Sequence, residues 1–183
     1  MFYELSIINF IQTFRSPFLD KIMETVTIFG AWRTMLPVVI LIVLYFFWKK
    51  RASYAVALAV STGLGELIVL ILKNLIQRPR PNIANVLITA NDFSFPSGHS
   101  FVAVSFYGLM AYFLFRLSKT KLQKIASVGL GILVILSIGF SRIYLGAHWP
   151  TDVLGSYVIA GALVAVIISF LERKRMSDVS KFP

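Results

Sequence analysis

Apolar residues occur in long runs along this chain, and short polar or basic stretches separate the runs. A helix needs around 20 residues to cross a hydrocarbon core of about 30 Å. Five runs approach or reach that length, and they cover residues 27–48, 53–76, 100–115, 122–140 and 153–171. The pattern therefore predicts an all-α integral membrane protein, a helical bundle of about five transmembrane helices.

The first 26 residues follow a different pattern. Residues 2–14 are apolar but too short to cross a membrane, and polar residues interrupt them. Ser16 and Pro17 predict the start of a second short helix, because Ser is a good N-cap and Pro fits the first helical position. We expect both short helices to lie at the membrane interface.

Composition supports a membrane protein and changes the meaning of its charge. Hydrophobic residues make up 57% of the chain, and mean hydropathy is +0.79, whereas soluble domains use roughly 45–50% apolar residues. A formal charge of +10 would suggest nucleic-acid binding in a soluble protein. Here the Lys and Arg residues lie mostly at the ends of apolar runs, so we expect no nucleic-acid partner. The absence of Cys excludes disulfides and thiol chemistry.

The basic residues predict how the bundle is oriented. One side carries eleven of them: Lys49, Lys50, Arg51, Arg116, Lys119, Lys121, Lys124, Arg173, Lys174, Arg175 and Lys181. The other side carries seven: Arg15, Lys21, Arg33, Lys73, Arg78, Arg80 and Arg142. The side with eleven is expected to be cytoplasmic. The chain would then form one domain over 1–183, made of an interfacial segment (1–26), the bundle with the candidate chemistry (27–171) and a cytoplasmic tail (172–183).

Three polar clusters lie at the ends of apolar runs on the other, extracytoplasmic side. They cover residues 73–81, 95–100 and 141–152, and they contain both His residues of the chain, His99 and His148. An ionisable group within a membrane costs about 2.5–3.5 kcal/mol on insertion scales, so its default explanation is functional. Because all three clusters emerge on one face, the topology brings them together.

The first cluster supplies two cations, Lys73 and Arg80. Pro79 and Pro81 prevent the helix from continuing, so Arg80 is expected on a loop that folds over the helix end. Arg offers a planar fork for a phosphate and Lys a compact charge, so the pair suits an oxyanion. Snorkelling to the membrane interface would explain the same two residues.

The second cluster places a turn directly before an apolar run. Ser97 or Ser100 would cap the helix, and Gly98 would let a ligand approach the backbone. Free N–H groups at a helix N-terminus form an anion site, and His99 lies in the first turn. Alternatively, His99 is merely a residue that the cap satisfies.

The third cluster contains His148, with Asp152 four residues later, and Arg142 before them. A carboxylate can fix the tautomer of a neighbouring His and leave its other nitrogen free as a nucleophile or base. Arg142 offers another phosphate fork. A purely structural His–Asp pair is the alternative.

Together the clusters read Lys-x6-Arg-Pro, Pro-Ser-Gly-His and Ser-Arg-x5-His-x3-Asp, in that order on one face. This combination resembles the type 2 phosphatidic acid phosphatase family of membrane lipid phosphatases, over roughly residues 27–171. Soluble vanadium-dependent haloperoxidases share the motifs, but the apolar runs argue against them. The family commonly has six spans, and this chain departs from it because its N-terminal segment is too short for a first one.

The resemblance assigns roles to the motif residues. By the resemblance, His148 is the nucleophile that becomes phosphorylated, Asp152 orients it, and His99 protonates the leaving group. The residues matched to the phosphate cradle are Lys73, Arg80, Ser97, Gly98 and Arg142. Positioning and charge stabilisation of this kind are what phosphoryl transfer requires.

The expected function is a lipid phosphatase that works through a phosphohistidine on the extracytoplasmic face of a bacterial plasma membrane. It would remove the terminal phosphate of undecaprenyl diphosphate, phosphatidylglycerol phosphate or phosphatidic acid, so its partners are a phosphorylated lipid and the bilayer. Only Asp92 and Asp152 lie near the motifs, too few carboxylates for a two-metal site, so we expect no metal and no other cofactor. The sequence does not predict an oligomeric state.

A small transporter or channel is the alternative function. It would need polar residues along the middle of several spans, and only Glu66 fits. Glu66 lies seven residues before Lys73, about 10 Å away along a helix. We expect Glu66 to be buried and hydrogen-bonded to a neighbouring helix.

Overall fold

A computed structural model describes residues 2–83, 86–87 and 91–180 of the chain. Within these ranges the regular structure is entirely helical. The helices are α1 (Phe2–Gln12), α2 (Pro17–Ile28), α3 (Trp32–Trp48), α4 (Ala52–Ile76), α5 (Gly98–Ala103), α6 (Leu109–Leu117), α7 (Lys121–Tyr144) and α8 (Pro150–Ser180), with a π-helical segment (Val104–Gly108) between α5 and α6. Lys181, one of the cations counted for orientation, lies outside the described residues.

Two helices, α1 and α2, form the first part of the chain, and α2 begins where Ser16 and Pro17 predict. The Ser16 hydroxyl caps α2 by accepting a hydrogen bond from the Leu19 N–H at 3.3 Å, and Pro17 occupies the first position. Helix α1 packs against α7 and α8. It buries Ile8 completely but leaves Phe10 largely exposed.

The first span differs from the single helix predicted over 27–48. Thr27 belongs to α2, the chain breaks after Ile28, and α3 follows at an angle of 45°. The break contains Gly30, where a Cβ would lie 2.6 Å from an Ile138 methyl group and 3.1 Å from the His99 carbonyl oxygen. The absence of a side chain lets this link lie directly against the start of α5.

The other four spans are continuous apolar helices: α4, the α5–α6 unit, α7 and α8. These four are long and apolar enough to cross a membrane, and the bent α2–α3 pair passes the same test when it is counted as one span, which gives four or five. The prediction of about five transmembrane helices is therefore confirmed. The π-helical segment interrupts the α5–α6 unit, and the Ser61 hydroxyl on α4 donates to the Ser105 carbonyl there at 3.2 Å. Helix α8 continues beyond residue 171, so most of the predicted tail prolongs the last helix.

The connections place four helix ends on one side of the bundle. The end of α4, the start of α5, the end of α7 and the start of α8 meet there, because each helix reverses direction relative to the last. A core of apolar side chains that includes Leu58, Phe101 and Ala160 packs α4, α5 and α8 together. All three polar clusters thus stand on a common, closely packed support.

Candidate active site

A cavity of about 380 Å³ opens where these helix ends meet. Residues from all three polar clusters line it, with side chains from α2, α3 and α4. The lining is Thr27, Trp32, Glu66, Val69, Leu70, Lys73, Arg80, Asp92, Gly98, His99, Val102, Arg142 and His148. Six of the eight site residues predicted from the sequence therefore surround one space. The other two, Ser97 and Asp152, are fully buried beside lining residues.

Lys73 and Arg80 converge on the carboxylate of Asp92. Helix α4 ends with Gln77 in the left-handed conformation (φ 51°), so the chain reverses and brings Arg80 back over the helix end. Lys73 Nζ lies 3.0 Å from one carboxylate oxygen of Asp92, and Arg80 Nη2 donates to the other. Arg80 Nη1 also donates to the Ala147 carbonyl at 2.6 Å. The loop geometry expected for Arg80 is thus found.

The Asp92 carboxylate marks a position where two cations hold an anion. Partial burial alone would raise the pKa of Asp92, but hydrogen bonds from Arg80 and Lys73 lower it to about 2. Carboxylate and phosphate oxygens accept hydrogen bonds from Lys and Arg in the same way. The Asp92 side chain is 54% exposed, so an anion that enters the cavity competes with this carboxylate for the two cations.

His148 lies in the turn between α7 and α8, opposite these cations. Its Nδ1 is 3.5 Å from an Asp152 carboxylate oxygen and makes no hydrogen bond to a described residue, and its Nε2 is 3.2 Å from Arg80 Nη1. Gly146, with φ +73°, provides the left-handed residue that this turn needs. Because a guanidinium only donates, Nε2 accepts a hydrogen bond from Arg80, and the proton of the neutral ring lies on Nδ1, on the side of Asp152.

The protonation state of His148 also suits a nucleophile. Burial lowers the pKa of His148 to about 4, and the charges of Arg142 and Arg80 act in the same direction, while Asp152 opposes them. The imidazole is therefore neutral at pH 7 and keeps a lone pair for attack.

Three donors hydrogen-bond to the Asp152 carboxylate. Arg78 Nη1 donates to Oδ1 at 2.6 Å, while Oδ2 accepts hydrogen bonds from the Trp149 N–H at 2.9 Å and from the Ser94 hydroxyl. A buried carboxylate costs free energy unless such donors compensate it. Asp152 is thus fixed in its position behind His148.

Arg78 extends this network to the N-terminal helix. Its Nη2 donates to a Glu4 carboxylate oxygen at 2.6 Å, and the other Glu4 oxygen accepts from the Thr151 backbone N–H at 3.2 Å. Sequence reasoning missed Glu4 and Arg78. Arg78 belongs to the first cluster, but spacing does not tell which of Arg78 and Arg80 faces the cavity. Glu4 lies 74 residues earlier and carries no signal of the contact.

The second cluster forms the N-terminus of α5. Ser97 is the N-cap, and its hydroxyl lies 2.9 Å from the Ser100 hydroxyl, so it stabilises the helix start rather than lining the cavity. At Gly98 a Cβ would meet only a Val69 methyl group at 3.7 Å. Protein packing therefore leaves the space beside Gly98 open.

The His99 ring lines the cavity and makes no hydrogen bond to any described residue. The alternative in which the cap satisfies His99 is therefore not what the structure shows. Its imidazole nitrogens are available to a ligand on the side of the cavity formed by α5.

Arg142 is a second buried cation with unused hydrogen-bonding capacity. It is only 3% exposed, and its Nη1 donates to the Thr27 hydroxyl at 2.7 Å. Among the described residues, its Nε has no hydrogen-bond partner. An unsatisfied buried guanidinium is costly, and a phosphate oxygen in the cavity would compensate it.

Glu66 lines the cavity on its α4 side. The prediction that a neighbouring helix would hydrogen-bond it is wrong, since no described residue does so. Seven residues separate Glu66 from Lys73 along α4, so Glu66 lies deeper in the bundle than Lys73. No three His, Cys, Asp or Glu side chains are grouped for a metal within the described ranges.

The sequence model of the PAP2 superfamily matches residues 54–176, a range that contains all three polar clusters. The chain belongs to this superfamily, and it is an integral membrane phosphatase of that class. The resemblance seen in the motifs is thereby confirmed, and the transporter or channel alternative is set aside.

The relatives include enzymes with different lipid substrates in their names. Phosphatidylglycerophosphatase B of Bacillus subtilis (strain 168) is 35% identical over 163 residues, which cover 87% of this chain and 78% of that protein. Undecaprenyl-diphosphatase BcrC of the same organism is 35% identical over 159 residues, covering 84% and 72%. The crystal structure of a transmembrane PAP2-type phosphatidylglycerolphosphate phosphatase from Bacillus subtilis matches with a TM-score of 0.87 and 32% identity, covering 93% of this chain and 85% of that one.

Proposed function

We propose that the protein is a metal-independent lipid phosphatase that removes the terminal phosphate of a membrane lipid phosphate or diphosphate on the extracytoplasmic face of a bacterial plasma membrane. The observation that carries this proposal is the placement of His148. Its Nε2 faces the cavity 3.2 Å from Arg80, and its Nδ1 lies 3.5 Å from a buried Asp152. The site therefore combines an oriented nucleophile with a cationic cradle.

In the first step, His148 Nε2 attacks the terminal phosphorus. A P–N bond forms while the P–O bond to the lipid breaks, and His99 gives a proton to the departing oxygen. Bound phosphate brings negative charge next to His99, which favours the protonated imidazole that this role requires. Lys73, Arg80 and Arg142 offset the charge on the phosphoryl oxygens.

In the second step, water attacks the phosphohistidine. The neutral His99 left by the first step takes a proton from that water, the P–N bond breaks, and inorganic phosphate and the starting imidazole are restored. His99 thus acts first as an acid and then as a base. Asp152 stabilises the positively charged imidazole ring while it carries the phosphoryl group.

A panel assay tests the reaction and its substrate. Purified protein would be given undecaprenyl diphosphate, phosphatidylglycerol phosphate and phosphatidic acid, and released phosphate would be measured with and without excess EDTA. We expect turnover of at least one lipid, unchanged by EDTA and inhibited by vanadate, which mimics pentacoordinate phosphorus. Loss of activity in EDTA with recovery in magnesium would overturn the metal-independent mechanism. The ratio of rates across the panel identifies the preferred lipid.

Sidedness rests on the charge asymmetry and is tested separately. The chain has no native Cys, so single-Cys variants report cleanly. Asn91→Cys, beside the cavity-lining residue Asp92, should react with a membrane-impermeant reagent in intact cells. Lys119→Cys, in the exposed α6–α7 turn, should react only after lysis. The neighbouring Thr120 is kept intact because its hydroxyl caps α7. The reverse pattern would place the active site in the cytoplasm.

A further inference from the structure

A second cavity, of about 680 Å³, lies at the end of the bundle opposite the active site. It is formed where the α3–α4 turn meets the last turns of α8. Four cationic residues from these two segments line it: Lys50, Arg51, Lys174 and Arg175. More than 120 residues separate the two pairs in sequence, so the tertiary fold concentrates this charge.

Most of this charge is not neutralised by the protein. None of Lys50, Arg51 and Lys174 forms an ion pair with a described residue. Arg175 lies 3.6 Å from Glu172, but that carboxylate is shared with Arg116 at 3.3 Å. The cavity therefore holds a net positive charge that would attract an anion.

An apolar groove continues directly from this cationic cavity. It has a volume of about 320 Å³ and shares Ala52, Ser53, Leu171 and Lys174 with the cavity. Further along, Val56 and Val60 of α4 face Ile167 and Phe170 of α8 across it. The groove runs along two transmembrane helices, so its open side faces the hydrocarbon core of the bilayer.

We propose that this cavity and groove bind an anionic phospholipid, with its phosphate among the four cations and an acyl chain along α4 and α8. Basic pockets between transmembrane helices are suited to acidic lipid headgroups. A free anion would use the cavity but not the groove, and a zwitterionic lipid would gain little from the charge. By the orientation proposed above, this lipid would lie in the cytoplasmic leaflet; the binding site itself does not rest on that orientation.

The proposed lipid site is separate from the active site. The two cavities share no lining residue. Arg51 and Lys73 stand at opposite ends of α4, 22 residues or roughly 33 Å apart along the helix axis. A lipid held at the second site therefore cannot be a substrate in position for His148.

Native mass spectrometry of the purified protein tests the proposal. Phosphatidylglycerol and phosphatidylcholine with identical acyl chains would be titrated, and the first bound lipid of each kind compared. We expect a preference for phosphatidylglycerol. The double variant Arg51→Gln, Lys174→Gln should weaken phosphatidylglycerol binding by about fivefold for each cation removed.

Two controls separate a defined site from general electrostatics. Lys119→Gln, Lys121→Gln removes the same charge from the same end of the bundle but does not touch the cavity, so phosphatidylglycerol binding should stay unchanged. Arg80→Ala weakens the active site, and phosphatidylglycerol binding at the second cavity should stay unchanged in this variant too. The proposal would be overturned if Lys119→Gln, Lys121→Gln weakened phosphatidylglycerol binding as much as Arg51→Gln, Lys174→Gln does. It would also be overturned if only Arg80→Ala weakened that binding.

The groove is tested by filling it. Val60→Trp should reduce phosphatidylglycerol binding, whereas Leu136→Trp, at an exposed position of α7, should not. Inorganic phosphate at equal concentration should fail to displace the lipid. Full displacement by phosphate, or no effect of Val60→Trp, would show an anion site without a lipid groove and would overturn the assignment.

Discussion

The two ends of this bundle use positive charge in opposite ways. At the active-site end, Lys73 and Arg142 are 9% and 3% exposed, and specific partners contact each one. At the other end, Lys119 and Lys121 are exposed. The two groups have the same formal charge per residue but very different environments.

This difference separates charge that does chemistry from charge that sets topology. A buried cation without compensation costs several kcal/mol, so it persists only with partners or a ligand. An exposed cation at a helix end costs almost nothing and contributes through its attraction to one membrane face. Substitutions at the active-site end should therefore have large, residue-specific effects, and those among exposed cations at the other end small ones.

The largest effect is expected for His148→Ala. Without Nε2 no P–N bond forms, so turnover and labelling of the protein by a radioactive phosphate donor should both vanish, even with an activated substrate. Acid-labile labelling of the unmodified protein is the matching positive control. Labelling that survives in His148→Ala but disappears in His99→Ala would invert the two roles.

His99→Ala should be the next most damaging change. General acid catalysis is worth about 10²–10⁴-fold, and a lipid alkoxide needs that proton to leave. The loss should be much smaller with p-nitrophenyl phosphate, because its phenolate leaves unprotonated. An equal loss of kcat on both substrates would contradict the assignment of His99 as the acid.

Arg78→Gln tests the positioning of Asp152. With Arg78 gone, kcat should fall by about 10- to 150-fold at nearly constant KM, since one charge-assisted hydrogen bond is worth about 1.5–3 kcal/mol. The Asp152 charge would also be less compensated, which raises the pKa of His148 from about 4. The acidic limb of kcat/KM, where the nucleophile becomes protonated, should therefore move to higher pH.

Glu4→Gln tests the same positioning of Asp152 from the other partner of the Arg78–Glu4 ion pair. It should cause a smaller loss of kcat than Arg78→Gln, and the double variant should lose less than the two single losses combined, because the Arg78–Glu4 ion pair is common to both, although Glu4 also accepts hydrogen bonds from Thr151. Additive losses, or a lower rate with an unmoved acidic limb, would reduce both residues to a structural role.

Asp92→Asn should have a small effect of opposite sign. It removes the carboxylate that occupies Lys73 and Arg80, so the inhibition constant for inorganic phosphate should fall about two- to fivefold, as expected for a half-exposed ion pair. Glu24→Gln, which breaks an exposed pair with Lys21 in α2, is the matched control and should leave inhibition unchanged. Weaker inhibition in Asp92→Asn would mean that Asp92 orients the cations instead.

Substitution of exposed cations at the opposite end should have the smallest effect on catalysis. Lys119→Gln, Lys121→Gln should keep kcat and KM within about twofold of the unmodified protein, since these exposed side chains form no ion pair with a described residue of the catalytic end and surface charges are screened. Altered labelling of Asn91→Cys in that background would report a change in orientation. A large loss of kcat with unaltered labelling would contradict the division between the two ends.

Much of the fold was readable from the sequence because membrane crossing imposes a length and a composition. The apolar runs predicted the spans of α4, α7 and α8, since a bilayer requires about 20 apolar residues per helix. Ser16 and Pro17 predicted the start of α2 through local hydrogen bonding. The same rule failed at residues 27–48, because Gly30 breaks the helix to fit against α5, and that contact has no local signal.

The sequence by itself determined which residue types form the three polar clusters and that the clusters emerge at one common end of the bundle, because motif spacing and helix direction are properties of the chain alone. Only the tertiary structure decided how they meet: Asp92 between Lys73 and Arg80, and Glu4 against Arg78. These contacts depend on loop conformations and on packing between segments up to 74 residues apart. Hydrophobic periodicity records which face of a helix is apolar, but it holds no information about which distant partner a buried charge will find.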